Sequence, residues 1–386
     1  MLRNQIRDVN LLSPTFSAWS PKGPASRQIA VLMSGGVDSS VSAHLLAEDG
    51  WDVLGITMKI PISCGINTRG CCGADAGVPK RNKRPLGGPV FVCKQLNIPH
   101  YFIDVTEAFE QLIIKRFRQS YAEGQTPNPC VDCNTFLKFS LVWDFLQQEF
   151  GISYLATGHY AKVLKTDNRT RLCRAMDKAK DQSYFIYGIP REKLERFLLP
   201  LGSLTKNQVR SIAARLNLSV ADKAESMELC FAGQRDYRAA LTAGQAHRCG
   251  DITDMQGNKI AKHKGIANYT LGQRRGIGFA GGKPLYVGKI DPETNTIALG
   301  SREEISSRTI VANRINALVP EELALAKRFF GKIRSYGDPR PCTLVEASEN
   351  HVKVEFDEPQ FAPCPGQRLV LYDKCDNVVA GGTIFK

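Results

Sequence analysis

The most constraining feature of this sequence is a glycine-serine turn between a strand-like segment and a helix-like segment. Residues 28–33 read QIAVLM, residues 34–36 read SGG, and a helical pattern follows over 37–48. Residues 51–58 form the next strand-like segment. Strand, helix and strand in this order predict a βαβ unit, and such units build parallel sheets. The sequence therefore predicts an α/β fold with a doubly wound parallel sheet, whose ligands bind beyond the carboxyl ends of the strands.

The 386 residues are too many for one typical core, and their pattern changes along the chain. In the first half we predict further strands at 100–105 and 154–158 and helices at 108–122 and 136–150. Beyond about residue 235, short alternating segments between Gly, Pro and Asn turns predict small β domains, the last a β-barrel. We expect a flexible extension at 1–26, a catalytic domain at 27–235 with a loop insertion at 65–89, a central β-rich domain at 236–302 and a barrel-like domain at 303–386.

Charge and cysteine content narrow the possible partners. The formal net charge of +13 favours contact with a polyanion such as nucleic acid, and a solvated lysine surface is the alternative. Twelve cysteines without an apolar secretory signal predict reduced thiols in the cytoplasm. An organelle transit peptide in residues 1–26 is the alternative, because this stretch contains Arg and Ser and few acids. No segment reaches the roughly 18 apolar residues of a membrane span, so no membrane partner is expected.

The turn after the first strand has the chemistry of a phosphate-binding loop. Its glycines let backbone amides surround an anion, Ser34 and Ser39 add hydroxyl donors, and the helix directs its positive end at the phosphates. Asp38 is a candidate ligand of Mg²⁺, which would neutralise a leaving pyrophosphate. The loop has neither the Gly-Lys-Ser/Thr ending of kinase-type loops nor a G-x-G-x-x-G pattern. SGGVDS at 34–39 instead resembles the pyrophosphate loop of enzymes that cleave ATP between the α- and β-phosphates.

Two cysteine segments are candidates for sulfur chemistry. Cys130 and Cys133 form a C-x-x-C at the start of a predicted helix, whose positive end would lower a thiol pKa and enrich the thiolate. Cys230 lies in a loop-like stretch. Sulfur transfer needs two thiols, one to present a persulfide sulfur and one to assist transfer and then close a disulfide. An iron–sulfur cluster on Cys130, Cys133 and Cys230 is the alternative, whereas a zinc site lacks a second close cysteine pair.

Together these motifs resemble the bacterial-type tRNA-specific 2-thiouridylase family, or tRNA-uridine 2-sulfurtransferases. The resemblance runs from about residue 29 to the end and rests on segments in the family's order: SGGVDS at 34–39, TPNPCVDCN at 126–134, ATGHYA at 156–161, KDQSYF at 180–185, ES at 225–226 with CF at 230–231, YTLGQR at 269–274 and PGQ at 365–367. It implies an ATP-dependent transferase of the adenine nucleotide α-hydrolase-like fold. Such an enzyme adenylates the 2-oxygen of the wobble uridine and replaces it with sulfur, giving 2-thiouridine, AMP and pyrophosphate.

The resemblance also implies roles for individual residues and a partner. Cys133 would be the nucleophile, Cys230 the persulfide carrier, and Asp38 part of the catalytic set. The ATP site would be lined by Leu32, Met33, Ser34, Gly35, Gly36, Val37, Asp38, Ser39, Met58 and Gly158. The tRNA would be contacted near the target base by Asn128, Pro129 and Cys130 and elsewhere by His159, Lys180, Asp181, Gln182, Arg334, Ser335 and Gln367. The sulfur donor would be a cysteine desulfurase or a relay protein.

The sequence departs from the family in two places. Residues 73–96 form a basic, proline-containing segment where the family has an acidic linker and a helix. At Ser335 the family often has an aromatic residue, so a stacking contact is expected to be missing. Without the family pattern, His159 would equally be a core histidine and 180–182 a solvated loop. Two other functions stay open: a pyrophosphate-loop ligase acting on a small metabolite, and a non-catalytic tRNA-binding relative.

Overall fold

The computed structural model describes residues 9–10 (backbone), 19–60, 88–166, 169–221, 223, 229–231, 241, 248–279 and 282–385. Most of the predicted extension at 1–26 and of the predicted insertion at 65–89 lies outside these residues. The chain forms two compact units, Met1–Leu112 with Asp132–Arg235 and Ile113–Val131 with Asp236–Lys386. The boundaries expected near residues 26, 235 and 302 remain predictions.

The first unit is built on a six-stranded sheet with strand order β1-β4-β3-β2-β5-β8. All neighbours are parallel except β1, which pairs antiparallel with β4. A separate antiparallel hairpin consists of β6 and β7. The strands are β1 Val9–Asn10, β2 Gln28–Leu32, β3 Asp52–Lys59, β4 His100–Asp104, β5 Tyr154–Ala156, β6 Ala161–Thr166, β7 Arg169–Arg174 and β8 Phe197–Leu198. The predicted doubly wound parallel sheet is confirmed.

The direction of winding reverses beside β2. The chain runs from β2 to β3 and β4 on one side of the sheet and then adds β5 on the other side of β2. Such a reversal leaves a crevice at the carboxyl ends of the two strands that flank it, which is where open α/β sheets bind ligands. All five residues of β2 are buried, as expected of a central parallel strand. The glycine-serine turn follows β2 directly, so the fold places it in this crevice.

Helices pack on the sheet through apolar faces. Val41 and Leu46 of the first helix share one buried cluster with Val209 and Ala213 of the last. Numbered over the whole chain, the α-helices of this unit are α1 Val37–Glu48, α2 Pro89–Gln95, α3 Thr106–Phe109, α6 Trp143–Phe150, α7 Ser183–Ile186 and α8 Lys206–Arg215, with 3-10 turns at Ala25–Arg27, Arg191–Arg196 and Pro200–Ser203. The first helix occupies the residues predicted for it. No helix in the described ranges has both the length and the apolarity that a membrane crossing requires.

The two longer predicted helices contain π-helical segments. The 108–122 prediction corresponds to α3, a π-helical turn at Glu110–Ile114 and α4 at Lys115–Ala122. The 136–150 prediction corresponds to a π-helical segment at Cys133–Val142, called here the π-segment, followed by α6. An apolar repeat does not distinguish the i→i+4 bonds of an α-helix from the i→i+5 bonds of a π-helix, so the sequence did not reveal this geometry. π-helical turns occur frequently at functional sites.

Helix α2 lies in the basic segment that departs from the family pattern. Pro89 stands in its first turn, where its missing N–H removes no helical hydrogen bond. Val92 and Cys93 are buried. The Gln95 side chain donates to the Asn217 carbonyl and accepts from the Ser219 amide. The described part of the 73–96 segment is therefore a packed helix.

The described residues of the second unit form a β-sheet, a β-barrel and short helices. A four-stranded sheet has the order β10-β9-β12-β11, and six strands close into a barrel of order β13-β16-β15-β14-β17-β18. The strands are β9 Gly250–Asp254, β10 Lys259–His263, β11 Tyr286–Asp291, β12 Thr296–Gly300, β13 Ser306–Ala317, β14 Arg328–Lys332, β15 Arg340–Ala347, β16 His351–Phe361, β17 Arg368–Tyr372 and β18 Val378–Ile384; the helices are α4 and α5 Pro129–Asp132, with 3-10 turns at Ile266–Asn268 and Pro320–Glu322. The predicted β domains and the final barrel are confirmed.

The segment 113–131 groups with the barrel for a visible reason. The Thr126 amide donates to the Pro365 carbonyl at 2.8 Å, and Gln367 Nε2 donates to the carbonyls of Thr126 (3.0 Å) and Pro127 (3.2 Å). Gly366 has a φ of 92°, and a Cβ there would lie 2.9 Å from the Thr126 oxygen. The PGQ segment therefore holds the start of TPNPC across more than 200 residues of sequence.

Candidate functional site

A cavity of about 150 Å³ lies at the carboxyl ends of β2 and β5 in the first unit. Its lining consists of Leu32, Met33, Ser34, Asp38, Ser39, Ile56, Met58, Lys138, Thr157, Gly158, His159 and Gln182. Seven of the ten residues assigned to ATP are in this set, and the other three, Gly35, Gly36 and Val37, form the turn and the first residue of α1. His159 and Gln182, assigned to tRNA, also line it. Ile56, Lys138 and Thr157 were not singled out by the sequence.

The phosphate loop, residues 34–39, is fixed by its own hydrogen bonds. Ser39 Oγ accepts from the Ser34 amide and donates to the Gly36 carbonyl, each at 3.2 Å. Ser34 Oγ accepts from the Gly36 amide at 3.3 Å. Gly35 has a φ of 68°, a value that favours glycine, and a Cβ there would lie 2.8 Å from Pro89 Cδ. The loop conformation is therefore set by the small residues that the sequence places there.

Gly158 allows the loop after β5 to pack directly on the phosphate loop. A Cβ at this position would lie 2.7 Å from the Ser39 amide nitrogen and 2.8 Å from the Asp38 carbonyl carbon. Because both atoms belong to the backbone, no rotamer change relieves the clash. Glycine is therefore required for the two loops to meet at the cavity.

Asp38 is held by an ion pair that the sequence analysis missed. Lys206 Nζ donates to both carboxylate oxygens at 2.7 and 2.8 Å, and the Tyr160 hydroxyl donates to Oδ1 at 2.8 Å. The Lys206 side chain is 9% exposed and that of Asp38 is 31% exposed. A second ammonium, Lys223 Nζ, donates to the Gly35 carbonyl at 2.8 Å. Both lysines are more than 160 residues from the loop, so no local motif indicates them.

The fit of Mg²⁺ to this cavity depends on Asp38. Among the described residues that line the cavity, Asp38 supplies the only carboxylate. Mg²⁺ is commonly held by one or two carboxylates together with substrate phosphates. Asp38 therefore fits as one such ligand, with its carboxylate shared with Lys206.

Part of the cavity wall is formed by a neutral histidine and a lysine. Burial and the nearby Lys138 ammonium lower the pKa of His159 to about 3, so its imidazole is neutral at pH 7. Its Nδ1 lies 2.8 Å from the Thr157 hydroxyl. Lys138 Nζ donates to Asn134 Oδ1 at 2.9 Å. The wall thus presents one fixed positive charge beside an uncharged ring.

Lys138 links the cavity to the C-x-x-C segment. Cys133 is the first residue of the π-segment and Lys138 is five residues further on, which is the spacing of one π-helical turn. Asn134 is in turn fixed because its Nδ2 donates to the Phe185 carbonyl at 2.9 Å. The element that begins at Cys133 therefore also supplies a cation to the cavity of the phosphate loop.

Asp181 has a structural position rather than the exposed one expected of a tRNA contact. Its side chain is 1% exposed and pairs with Arg174 Nε at 3.3 Å. Its oxygens also accept from the Ala175 and Ser183 amides and from Ser183 Oγ. The carboxylate faces the protein interior. These donors offset the free-energy cost of burying its negative charge. The buried carboxylate thus holds the turn at 175–183, and the assignment of Asp181 to tRNA binding stays a prediction.

Lys180 lines a second cavity, of about 630 Å³, called here the basic cavity. Four cationic side chains and one carboxylate border it, together with smaller groups: Lys178, Lys180, Lys206, Arg210 and Asp177. Gln182, in contrast, faces the first cavity, and its Oε1 accepts from the Tyr160 amide at 2.9 Å. The segment 180–182 is therefore divided between two cavities of the same unit.

The cysteines differ in exposure. Cys130 is exposed, Cys133 is buried and Cys230 is half-buried. Among the described residues, no three His, Cys, Asp or Glu side chains lie close enough to hold a metal ion. Burial raises the pKa of Cys93 and of Cys342 to about 12 and that of Cys364 to about 11. These last three thiols are protonated at neutral pH and are poor nucleophiles.

The residues assigned to tRNA in the second unit are held by the barrel and its attached segment. Asn128 Oδ1 accepts from the Val131 amide at 3.2 Å and so begins α5, where Pro129 is buried. The Arg334 guanidinium donates to the carbonyls of Phe361 and Ala362 and lies 5.3 Å from the Phe361 ring centroid.

Ser335 is exposed and is followed by Tyr336, whose side chain is 93% exposed. The aromatic ring that the sequence analysis found missing at Ser335 is therefore present one residue later.

Comparison with known proteins gives a consistent picture over almost the entire chain. The family model described as the tRNA methyl transferase HUP domain matches residues 27–234. The tRNA methyl transferase PRC-barrel domain matches 240–301, and the aminomethyltransferase β-barrel domain matches 307–384. Among solved structures, the NMN synthetase from Francisella tularensis is similar with a TM-score of 0.31 and 19% identity, covering 56% of this chain and 72% of that one, which is too low to support a conclusion.

Known sequences are much more similar. The tRNA-specific 2-thiouridylase of Carboxydothermus hydrogenoformans is 40% identical over 369 residues, 93% of this chain and 98% of that protein. Those of Lachnoclostridium phytofermentans and Acetivibrio thermocellus are each 39% identical over 368 residues, 93% of this chain, and are covered to 100% and 99%. With this identity over nearly its full length, the chain belongs to the tRNA-specific 2-thiouridylase family.

Proposed function

We propose that this protein is an ATP-dependent tRNA-uridine 2-sulfurtransferase that converts the wobble uridine of tRNA to 2-thiouridine. The observation that carries the proposal is that two chemically different elements contribute to one cavity. The phosphate loop supplies Ser34, Asp38 and Ser39, and the π-segment that begins at Cys133 supplies Lys138. A reaction that adenylates an oxygen and then replaces it with sulfur needs a nucleotide site and a thiol site within one reaction centre.

In the first step, the uridine 2-oxygen attacks the α-phosphorus of ATP, and pyrophosphate leaves. The phosphate loop and the amino-terminal end of α1 bind the phosphates through backbone amides and hydroxyls. Leu32, Ile56 and Met58 provide the apolar side of the cavity for the adenine. Lys138 places positive charge where the negative transition state develops, and this is the kind of fixed charge that lowers such barriers. When bound beside Asp38, Mg²⁺ would supply further charge neutralisation to the leaving pyrophosphate.

In the second step, the terminal sulfur of a persulfide on Cys230 attacks C2 of the adenylated uridine, and AMP leaves. The Cys133 thiolate then attacks Cys230 Sγ, so that the sulfur–sulfur bond to the base breaks and a disulfide forms between the two cysteines. An external thiol reduces this disulfide before the next turnover. The persulfide comes from a cysteine desulfurase or a relay protein. An iron–sulfur cluster on Cys130, Cys133 and Cys230 stays the alternative to the persulfide route.

The tRNA contacts we propose come from both units. In the first unit they are His159, Lys180 and Gln182, with Asp181 shaping the turn that carries the last two. In the second unit Asn128, Pro129 and Cys130 approach the base, and Gln367 holds the start of their segment. Arg334 and Ser335 belong to the barrel loop that presents Tyr336. We propose a cytoplasmic location, in keeping with a reaction that consumes free thiols.

The test is anaerobic incubation of the full chain with ATP, Mg²⁺, a persulfide donor and unmodified tRNA, followed by nucleoside mass spectrometry. We expect 2-thiouridine at the wobble position, with AMP and pyrophosphate formed in equal amounts. Cys133→Ser and Cys230→Ser, each in a parallel reaction, should give no thiolated product while still binding ATP. Thiolation that persists in both variants would contradict the two-thiol mechanism.

Two other reactions are separated by the same assay. A pyrophosphate-loop ligase acting on a small metabolite would release pyrophosphate without dependence on tRNA, and a non-catalytic relative would release none. Two of the matched family models carry the word methyl transferase in their names. Methyl transfer to tRNA would add 14 Da to a nucleoside, whereas exchange of oxygen for sulfur adds about 16 Da, and only the latter requires ATP and Cys133.

A further inference from the structure

We propose that Lys206 is a positioning residue that couples ATP binding to tRNA binding, an inference that rests on the proposed function. The ion pair of Asp38 with Lys206 stands between two cavities of the first unit. Asp38 lines the cavity of the phosphate loop, and Lys206 lines the basic cavity. A ligand that displaces Asp38 in one cavity therefore also displaces Lys206 in the other, and the reverse holds as well.

The pair moves as one group because of its burial. The Lys206 side chain is 9% exposed, and its ammonium bonds both oxygens of Asp38. An ammonium that is largely removed from water needs its counter-charge, since separating the two leaves an uncompensated charge inside the protein. Asp38 in turn belongs to the phosphate loop. A displacement of Lys206 therefore displaces the loop that binds the triphosphate.

Two links connect this pair to the segment 177–182, which carries the proposed tRNA contacts Lys180 and Gln182. The Lys206 amide donates to Asp177 Oδ2 at 3.0 Å. Tyr160 forms the other link, because its hydroxyl donates to Asp38 and its backbone exchanges hydrogen bonds with Gln182 at 2.7 and 2.9 Å. Within the segment, the Lys180 amide donates to the Asp177 carbonyl at 3.0 Å. The segment 177–182 and the phosphate loop are thus connected by a continuous set of hydrogen bonds through Lys206 and Tyr160.

The charge of the basic cavity indicates which ligand acts on this set of hydrogen bonds. Lys178, Lys180 and Arg210 surround Lys206 there, so a polyanion such as RNA is the ligand that suits it. ATP on one side and tRNA on the other each immobilise the same bonded residues. The second ligand to bind pays less ordering free energy, and the coupling is expected to be positive. Coupling between sites is reciprocal, so each ligand tightens the other by the same factor.

The test is calorimetric titration of the full chain with α,β-methylene ATP, whose α–β bridge resists cleavage, with and without saturating unmodified tRNA. For the unsubstituted protein we expect tRNA to lower the Kd of the analogue about tenfold. In Lys206→Met the ratio of the two Kd values should fall to within twofold of one. Lys193→Met is the matched control, because Lys193 pairs with Asp144 in the same unit and lines neither cavity. This control should keep the tenfold ratio.

Asp177→Ala provides a second variant, which applies even where Lys206→Met fails to fold. It removes the hydrogen bond between the segment 177–182 and the Lys206 amide of α8, and it leaves the ion pair of Asp38 with Lys206 intact. We expect the affinity without tRNA to be unchanged and the ratio to fall at least threefold.

A tenfold ratio retained in Asp177→Ala or Lys206→Met overturns the proposal, as does a ratio of one in the unsubstituted protein. If that protein nevertheless forms 2-thiouridine, only the coupling is wrong; if it forms none, the proposed function fails as well.

Discussion

Two sets of charged side chains, Asp38 with Lys206 in the first unit and Arg368 in the barrel of the second, find their partners in different ways. In the first unit, the Asp38–Lys206 pair joins the first turns of α1 and α8 beside a cavity. In the barrel, the buried Arg368 guanidinium bonds to other groups of the barrel. It donates to the Gly366 carbonyl at 2.9 Å and to Thr383 Oγ1 at 2.8 Å. An open parallel sheet leaves strand ends that need a ligand, whereas a closed barrel pairs every strand and keeps function for its loops. We therefore expect the chemistry to take place in the first unit and the barrel to contribute exposed loop residues to binding.

The largest expected effect separates Cys133, the proposed nucleophile in the first unit, from Cys342 in the barrel. Cys133→Ser should lower the rate of thiolation about 1000-fold or more, because the hydroxyl is a far weaker nucleophile, with ATP affinity changed less than twofold. Cys342→Ala should keep at least half of the activity, since burial raises the pKa of Cys342 to about 12. Rates measured by nucleoside mass spectrometry at equal concentrations of folded protein decide this. Equal losses in the two variants would remove the distinction.

The next effect compares two crowded glycines. Gly158→Ala should weaken ATP binding about 100-fold, equivalent to about 2.7 kcal/mol, because the new Cβ meets the backbone of the phosphate loop. Gly331→Ala in the barrel would place a Cβ 2.5 Å from Phe356 Cζ, and it should lower the melting temperature while leaving ATP affinity unchanged. Gly23→Ala, with nothing within 4 Å, is the neutral control. Calorimetry with ATP analogue and thermal unfolding give the two readouts.

A smaller effect tests the barrel's part in RNA binding. Tyr336→Ala should weaken tRNA binding about tenfold, since stacking of a base on an aromatic ring contributes roughly 1–3 kcal/mol. Tyr336→Phe should restore most of the affinity because it keeps the ring. Leu325→Ala removes another exposed apolar side chain of the same unit and should have no effect. The measurement is a filter-binding or anisotropy titration, and a loss of similar size in Leu325→Ala would refute a specific contact at Tyr336.

The last comparison concerns the pH dependence of stability at a buried histidine of the parallel sheet. The Thr57 hydroxyl donates to the Met33 carbonyl, so it accepts from His100 Nε2. The buried Nδ1 is therefore the ring nitrogen without a proton. Burial lowers the pKa of His100 to about 4 from an ordinary value of 6.5. The unfolded chain therefore binds the proton more tightly, and the free energy of unfolding decreases as the pH falls from 6.5 towards 4. His100→Gln should reduce this slope by up to about 1.4 kcal/mol per pH unit.

Urea unfolding between pH 4.5 and pH 8 measures that slope. Above pH 7 the imidazole is neutral in both states, so the two proteins should show parallel pH dependence there. An unchanged slope below pH 6 in His100→Gln would contradict a buried neutral imidazole at this position.

Elements whose conformation is encoded by neighbouring residues could be predicted from the sequence. The strand at 28–32, the turn at 34–36 and the helix at 37–48 were placed by β-branched residues, paired glycines and a helical repeat, each of which acts over a few residues. Seven of the ten residues that the family resemblance assigned to ATP line the cavity, and all seven lie at the phosphate loop or at the ends of predicted strands. The closed barrel followed from the short alternating segments of the last part of the chain.

The distant side chains that complete the site could be identified only in the folded chain. Lys206 lies 168 residues from Asp38. The packing of α8 against α1 brings the two side chains together, and no local sequence pattern encodes this packing. The inward direction of Asp181 likewise depends on Arg174, and the π-helical geometry that carries Lys138 into the cavity is invisible to an apolar repeat. Backbone conformation is encoded by neighbours in sequence, whereas charge pairing depends on neighbours in space.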